Sequence, residues 1–127
     1  MVVGHGIDIV EIPLIEQRLE AGDEWVVGAF TEAEQAEADP PPNRAQYFAG
    51  RYAVKEAVAK ALGTGFTDEV VCLDVEVLRL PSGAPYATLT EGALAVAELL
   101  GITAWFVSIG HRGSYVIGSA IAVREPI

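Results

Sequence analysis

One segment, residues 43–65, constrains the fold of this chain more than any other. Its sequence, NRAQYFAGRYAVKEAVAKALGTG, contains between its two ends only residues that a helix tolerates. Asn43 and Gln46 have the spacing of a capping box, and the three prolines before Asn43 forbid a helix there. Gly63 is typical of a helix stop. The segment therefore predicts a helix of about five turns.

The two sides of this helix differ in character. At about 100° per residue, an apolar stripe is formed by Tyr47, Val54, Val58, Ala61 and Leu62. Glu56 and Lys60 project from the opposite side, one turn apart and among small residues. From spacing alone, an ordinary surface ion pair is the simpler interpretation of these two charges. Arg51 falls on the apolar stripe, where a guanidinium must reach water or an anionic partner.

Residues 2–10, VVGHGIDIV, are rich in β-branched side chains and predict a strand. Alternation places Asp8 on the face of Gly4 and Gly6, between two isoleucines of the other face. Because burying a carboxylate without donors or a cation costs several kcal/mol, Asp8 needs a partner. Two interpretations are open: Asp8 caps the helical segment that follows, or it shares a cation with Glu56.

The remaining segments predict an α+β fold. Short helical pieces are expected over residues 14–38, broken near Gly22 and Gly28, with a second capping box at Thr31 and Glu34. One hairpin is expected from strands 70–80 and 86–89, and another from strands 104–109 and 114–123 with its turn at 110–113. A helix capped by Thr90 separates the hairpins. Since no low-complexity linker interrupts the chain, we expect a single domain, residues 1–127.

The charge balance excludes some classes of partner. A net charge of −10 argues against nucleic acid and anionic membranes, because both need an electropositive face. The longest uncharged run, residues 99–110, is too short to span a bilayer, and a lone Cys72 fits a reducing compartment. We therefore expect a cytoplasmic protein. Nine acidic residues and one basic residue lie between Glu11 and Asp39, a pattern usual for a solvated helical face.

Three blocks, in this order and at these separations, carry a family resemblance. They are GIDIVEI at residues 6–12, FAGRYAVKEAVAKALGTG at 48–65 and VSIGH at 107–111. Together they resemble the holo-[acyl-carrier-protein] synthases, the small 4′-phosphopantetheinyl transferases. The resemblance implies the fold of that family, with one long central helix packed on a small antiparallel sheet. It also implies a homotrimer whose strands form a shared core and whose sites lie at subunit interfaces.

The implied reaction transfers 4′-phosphopantetheine from coenzyme A to a serine of an acyl carrier protein or carrier domain. Asp8 and Glu56 match the family's Mg²⁺ ligands, and Lys60 matches a lysine near the transferring phosphate. Oxygen ligands, waters and phosphate oxygens suit magnesium. If the resemblance holds, these two carboxylates must converge on one ion.

Further matches concern coenzyme A itself. Arg51 matches an arginine for its phosphates, and Gly63 and Gly65 match positions that contact it. Ser108 and His111 match the block at the nucleotide end of the site, which the resemblance assigns to the adjacent subunit. His111 is a candidate for the group that takes the serine proton; Glu56 or a water on the metal could serve instead. A plain turn histidine is the alternative.

The chain also departs from the family pattern. Phe106, Gly110, Arg112 and Ala84 stand where relatives often carry other residues, which affects the nucleotide end of the site. The acidic region between Glu11 and Asp39 replaces a basic one that meets an acidic carrier, so we hypothesise a less acidic acceptor or another docking surface. A non-catalytic relative that binds coenzyme A or a partner without transfer is the alternative function.

Overall fold

A computed structural model describes residues 1–126 of the chain. Its helices and strands, in chain order, are β1 (Val2–Glu11), α1 (Ile12–Glu20), α2 (Glu24–Ala29), α3 (Glu32–Glu37), α4 (Arg44–Ala61), β2 (Val75–Arg79), β3 (Pro85–Leu89), α5 (Glu91–Leu99), β4 (Ala104–Arg112) and β5 (Tyr115–Val123). A short 3₁₀ helix, Cys72–Asp74, precedes β2. The α+β expectation and the long helix are confirmed. The predicted single domain includes Ile127, which lies outside the described residues, and the domain assignment stays a prediction.

Two antiparallel sheets form, as the predicted hairpins require. The larger has the strand order β1-β5-β4, and β2 pairs with β3 in the smaller. The central strand, β5, holds Asp8 opposite Gly118 on one side and Ser108 opposite Ser119 on the other. Helix α4 packs on β1 and β5. The N-terminal and C-terminal strands therefore meet under the long helix.

Glycines allow this close packing between strand and helix. A Cβ atom on Gly4 would overlap the carbonyl oxygen of Ala61, and one on Gly6 would overlap that of Ala57. Gly118 meets the backbone of Ala53 in the same way. Along β1, Gly4 lies beside Ala61 and Gly6 lies beside Ala57, so the strand runs antiparallel to α4. The small residues Ala53, Ala57 and Ala61 of α4 therefore allow the backbones of β1 and β5 to come close.

Helix α4 is buried on most of its circumference, and two of its charged residues, Arg51 and Lys55, are buried as well. Lys55 and Glu34 are fully buried and form an ion pair with an Nζ to Oε1 distance of 2.8 Å. Glu34 also accepts from the backbone N–H groups of Thr31 and Val77, each at 2.9 Å. Lys55 donates to the carbonyls of Cys72 and Val75. This pair joins α3, α4 and β2, and it was not predicted from sequence.

Several local predictions are wrong in detail. Asn43 occupies the N-cap position of α4 but makes no side-chain capping bond. Residues 110–112 of the predicted turn 110–113 are instead part of β4, and the chain reverses after Arg112, where Gly113 has a φ of 59°. Residues 70–74 do not belong to a strand. The capping box at Thr31 and Glu34 is confirmed, with both reciprocal bonds present.

Candidate active site

Asp8 and Lys60 meet where β1 crosses the end of α4. The Lys60 Nζ atom donates to the Asp8 Oδ1 atom at 2.9 Å and to the Ile7 carbonyl at 3.0 Å. The Asp8 side chain is 20% exposed and that of Lys60 is 49% exposed. The first helix has Glu11 at its N-cap, so Asp8 is not a cap. Lys60 pairs with Asp8 and not with Glu56, which makes the ordinary i,i+4 surface pair wrong.

Glu56 belongs to the same stretch of α4. It lies one turn before Lys60 and beside Ala57, whose carbonyl touches Gly6 two positions before Asp8. The Tyr52 phenol is close to the Glu56 carboxylate: burial, and then this carboxylate, raise the pKa of Tyr52. Convergence of Asp8 and Glu56 on one ion stays a prediction.

The donor set near Asp8 suits a hard divalent cation. Within residues 1–126, Asp8 makes its side-chain contact through Oδ1 alone, which leaves Oδ2 for another ligand. The Asp8 carboxylate and the Ile7 carbonyl both accept from the Lys60 ammonium. Both offer oxygen atoms, which are the ligands that Mg²⁺ takes. Over the same described residues, no group of three or more His, Cys, Asp or Glu side chains could hold a metal. The residues therefore fit an ion that completes its shell with water and phosphate, and not a structural zinc.

A second feature is a cavity of about 270 Å³ near the N-terminal half of α4. Its lining residues are Asp39, Asn43, Gln46, Tyr47, Arg51, Arg79, Ile109, His111 and Val116. Two predicted ligand-binding residues, Arg51 and His111, thus share one cavity although they are separated by 60 positions in the sequence. Arg79 and Asp39 were not predicted from sequence as members of this site.

The Arg51 guanidinium is buried and incompletely satisfied. Arg51 is 7% exposed, and its Nε atom has no hydrogen-bond partner in the described part of the chain. The guanidinium lies 4.3 Å from the centre of the Tyr47 ring and 3.9 Å from Glu37 Oε1. Burial lowers the pKa of Arg51. A partly satisfied, buried cation that lines a cavity is a suitable partner for a phosphate group.

The cavity wall beside Arg51 has a second arginine. Arg79 donates to Asp39 Oδ2 at 2.7 Å and lies 5.2 Å from the centre of the Tyr47 ring. This hydrogen bond raises the pKa of Arg79. Burial raises the pKa of Tyr47 to about 12, and its hydroxyl donates to the Glu34 carbonyl at 2.6 Å. The wall is therefore a fixed arrangement of two cations on one aromatic ring.

Ser108 and His111 lie on opposite faces of β4. Ser108 is exposed in the row that contains Phe106 and Gly110, whereas Ile109 contacts the core and His111 lines the cavity. The His111 Nε2 atom lies 2.9 Å from the Gly113 carbonyl oxygen. His111 belongs to β4 and not to the turn itself, but its ring contacts the turn, and its role in ligand binding or proton transfer stays a prediction. The two residues of the VSIGH block cannot line one cavity of a single protomer.

Gly63 and Gly65 form the exit from α4. Their φ angles are 81° and 62°, in the left-handed region that favours glycine. The Gly65 N–H donates to the Ala59 carbonyl at 3.1 Å and closes the helix. A Cβ atom at either glycine would have no neighbour within 4 Å. Their conformation explains their identity without a ligand, and contact with coenzyme A stays a prediction.

The outer face of the larger sheet is apolar and exposed. Ile7, Ile9, Phe106 and Ile117 are each at least 40% exposed on this face. Ser108 lies among them, opposite Ser119 and next to Phe106. The other three positions that depart from the family pattern, Gly110, Arg112 and Ala84, are exposed as well. An apolar sheet face of this kind is typical of a surface that another chain covers.

The acidic region divides into two groups. Glu34, Glu37 and Asp39 form ion pairs with Lys55, Arg51 and Arg79, respectively. The remaining six carboxylates are exposed, at Glu11, Glu16, Glu20, Asp23, Glu24 and Glu32. Arg18 lies over the Trp25 ring, 5.2 Å from its centre. The exposed acidic residues therefore lie on α1, on α2, at their ends and at the first residue of α3.

Comparisons with known proteins agree with this arrangement. A family model described as the 4′-phosphopantetheinyl transferase superfamily matches residues 4–119. A holo-[acyl-carrier-protein] synthase of Solidesulfovibrio magneticus is 46% identical over 126 residues, covering 98% of this chain and 99% of that protein. Across residues 1–126, no helix combines the length and the apolar character needed to cross a bilayer.

Solved structures give the same result. The chain matches the crystal structure of the holo-[acyl-carrier-protein] synthase from Neisseria meningitidis with a TM-score of 0.88 at 26% identity, covering 98% of this chain and 100% of that one. The synthase from Bacillus anthracis, in complex with CoA (3′,5′-ADP), matches with a TM-score of 0.83 at 31% identity, covering 98% and 99%. The chain therefore belongs to the 4′-phosphopantetheinyl transferase superfamily, and within it to the holo-[acyl-carrier-protein] synthases.

Proposed function

We propose that this enzyme transfers 4′-phosphopantetheine from coenzyme A to a serine of an acyl carrier protein or carrier domain. The products are the holo-carrier and adenosine 3′,5′-bisphosphate, and the reaction requires Mg²⁺. The serine oxygen forms a bond to the β-phosphorus, the bond from that phosphorus to the bridging oxygen breaks, and the serine proton leaves to a base. The single observation that carries the proposal is the contact of Lys60 with Asp8 in a chain of this family.

The metal end of the site lies at the crossing of β1 and α4. Asp8 and Glu56 would hold Mg²⁺, which when bound supplies Lewis-acid and templating chemistry at the diphosphate. Lys60 would neutralise charge on the transferring phosphate. Its cation is needed there, since the C-terminal end of a helix repels anions. Gly63 and Gly65 lie directly after this end and would contact the same ligand.

The nucleotide end would be the cavity that contains Arg51 and His111. The unsatisfied Nε atom of Arg51 supports a phosphate partner in this cavity. His111 would either contact the ligand or take the serine proton; Glu56 is the alternative base within this chain.

The two ends favour a site shared between copies of the chain. Asp8 lies on β1 and His111 on β4, which are the opposite edges of the sheet β1-β5-β4. Arg51 and Lys60 are nine residues apart on α4, about 14 Å along the helix axis. The outward direction of Ser108 supports the same arrangement, because a second copy of the chain on the outer face would contact it. We therefore propose a homotrimer with interfacial sites in the cytoplasm.

The transfer is tested by the intact mass of a carrier protein after incubation with coenzyme A and Mg²⁺. We expect the mass to increase by one phosphopantetheine group, and a chelator to prevent it. Asp8→Asn should abolish the increase, whereas Asp68→Asn, which changes an exposed acid elsewhere, should not. Measurable coenzyme A binding without a mass change across several carriers would support the non-catalytic alternative.

The shared site is tested by mixing two inactive variants. Asp8→Asn removes one end of the site and His111→Ala the other. If each site takes its two ends from different protomers, mixed assemblies regain one or more complete sites. Activity that stays absent after subunit exchange, with both variants assembled, would refute the shared site and leave the transfer reaction untouched.

The acceptor is proposed to be less acidic than an ordinary fatty-acid carrier protein, or to dock on another surface. Six exposed carboxylates on and around α1 and α2 support this, because two acidic faces repel. Salt screens repulsion between exposed charges, so transfer to a strongly acidic carrier should accelerate with ionic strength. Equal rates at low and high salt would contradict the proposal.

A further inference from the structure

The ammonium of Lys60 forms an ion pair with Asp8, the carboxylate that is proposed to bind the metal. It contacts Asp8 Oδ1 and the Ile7 carbonyl, at 2.9 and 3.0 Å. Both acceptors are oxygen atoms of the kind that a hard divalent cation takes. A metal ion at Asp8 would therefore meet a positive charge already in place.

We propose that Lys60 competes with the metal for Asp8 in the free enzyme and moves to the diphosphate when coenzyme A binds. This inference rests on the proposed function, which makes Asp8 a metal ligand and Lys60 a phosphate contact. The transfer of Lys60 from one anion to the other couples the two binding steps. Metal and coenzyme A should then each increase the affinity for the other, by the same factor.

The surroundings of Lys60 permit this movement. Its side chain is 49% exposed, and it is the penultimate residue of α4, before the open exit at Gly63. The other lysine of this helix, Lys55, has a fully buried side chain with three acceptors and cannot move without unfolding its surroundings. Of these two lysines, Lys60 is the one that combines a short contact to a carboxylate with freedom to leave it.

The charges that face Lys60 also favour the exchange. Asp8 approaches from β1, and Glu56 lies one turn earlier on α4. A divalent ion gains more than an ammonium from two carboxylates, because its charge is twice as large. An arriving diphosphate offers Lys60 new anionic oxygens at the same moment. The exchange therefore leaves neither the lysine nor the carboxylates without a partner.

The test measures metal binding directly, with Mn²⁺ as the probe in titration calorimetry. We expect the full-length Lys60→Met variant to bind Mn²⁺ about five- to tenfold more tightly than the parent protein without coenzyme A. Coenzyme A should tighten Mn²⁺ binding to the parent protein, and less so to Lys60→Met. Lys60→Arg, which keeps the charge, should retain the weak affinity of the parent.

A matched control removes one positive charge elsewhere. Arg124 follows the strand residue Val123, which pairs with Val2, six residues from Asp8 and about 20 Å along β1. Arg124→Met should leave Mn²⁺ affinity unchanged. Equal or weaker Mn²⁺ binding by Lys60→Met would overturn the competition while the proposed metal site stands. Mn²⁺ binding that Asp8→Asn leaves unchanged would overturn both.

Discussion

Replacing Lys55 by methionine should be among the most destabilising single changes in this protein. Lys55 and Glu34 are both fully inaccessible to solvent, and the Lys55 ammonium has three acceptors: the Glu34 carboxylate and the carbonyls of Cys72 and Val75. Methionine has a similar length and keeps most of the apolar contacts. The variant therefore removes the positive charge and three donated hydrogen bonds, and creates little cavity volume.

The expected loss in free energy of unfolding follows from the Glu34 carboxylate, which remains buried in the variant. Glu34 keeps the two backbone N–H groups of Thr31 and Val77 but loses its counter-ion. Removing one partner of a buried ion pair costs about 3–5 kcal/mol, because an uncompensated charge stays buried. The carbonyls of Cys72 and Val75 lose their donor and add to this cost, whereas local relaxation of the structure reduces it. We expect about 4 kcal/mol, a large part of the roughly 5–15 kcal/mol that stabilises a domain.

Urea unfolding at neutral pH measures this cost, at one fixed protein concentration because assembly also stabilises the fold. Lys60→Met is the matched control on the same helix. Its ion pair with Asp8 has nearly the same length, 2.9 Å against 2.8 Å, but is partly exposed. Exposed pairs contribute about 0–1 kcal/mol, so the two lysines should differ by about 3 kcal/mol.

A double variant separates the charge from the packing. Adding Glu34→Gln to Lys55→Met removes the stranded carboxylate and keeps an amide that can accept from Val77. Since a neutral amide is less costly to bury than a carboxylate, the double variant should be more stable than Lys55→Met alone. Similar free energies of unfolding for Lys55→Met and Lys60→Met, or no recovery in the double variant, would refute the reasoning.

Two further outcomes are expected. Gly6→Ala should destabilise the fold by more than 2 kcal/mol, on the order of other overpacked sites, because the new methyl group overlaps the Ala57 carbonyl; Gly28→Ala, which meets no neighbour within 4 Å, should be neutral or slightly stabilising in urea unfolding. Burial raises the pKa of Tyr47 to about 12, so its contribution to stability is complete below pH 10 and is lost as the pH rises toward 12. Tyr47→Phe should therefore make stability less dependent on pH between 10 and 12 in alkaline unfolding monitored by circular dichroism, and an unchanged alkaline profile would contradict this.

Local sequence signals were sufficient for most of the fold. The long helix, the two hairpins and the capping box at Thr31 each depend on residues within a few positions of one another. The predicted strand at 70–80 is confirmed over residues 75–79, and its first part is wrong because a contact from outside the segment decides it. The Asp74 carboxylate accepts from the Val71 and Ala93 N–H groups and holds residues 72–74 in a 3₁₀ turn. A pattern of valines cannot reveal that bond.

The candidate site was predictable where family motifs exist and not where distant residues meet. Asp8, Arg51 and Lys60 were singled out from sequence, and Arg51 also by its place on the apolar stripe. The Lys55–Glu34 pair was missed, although Lys55 follows Arg51 by one turn on that same stripe and could have been questioned on that ground. Arg79 carries no such signal, since it reaches the cavity from β2 through contacts with Glu37 and Asp39, which are about 40 positions earlier in the sequence.

The position of Asp8 depends on the same glycines that allow the fold to pack. Gly4 and Gly6 bring β1 onto the α4 backbone, and this close approach places Asp8 within reach of Lys60. A residue with a side chain at either position would move the strand away from the helix and the carboxylate with it. Changes in this crossing should therefore lower stability and metal affinity together. Changes at Lys55, which lies on the side of α4 that faces α3 and β2, should lower stability alone, so the two effects can be separated by measuring both quantities in both variants.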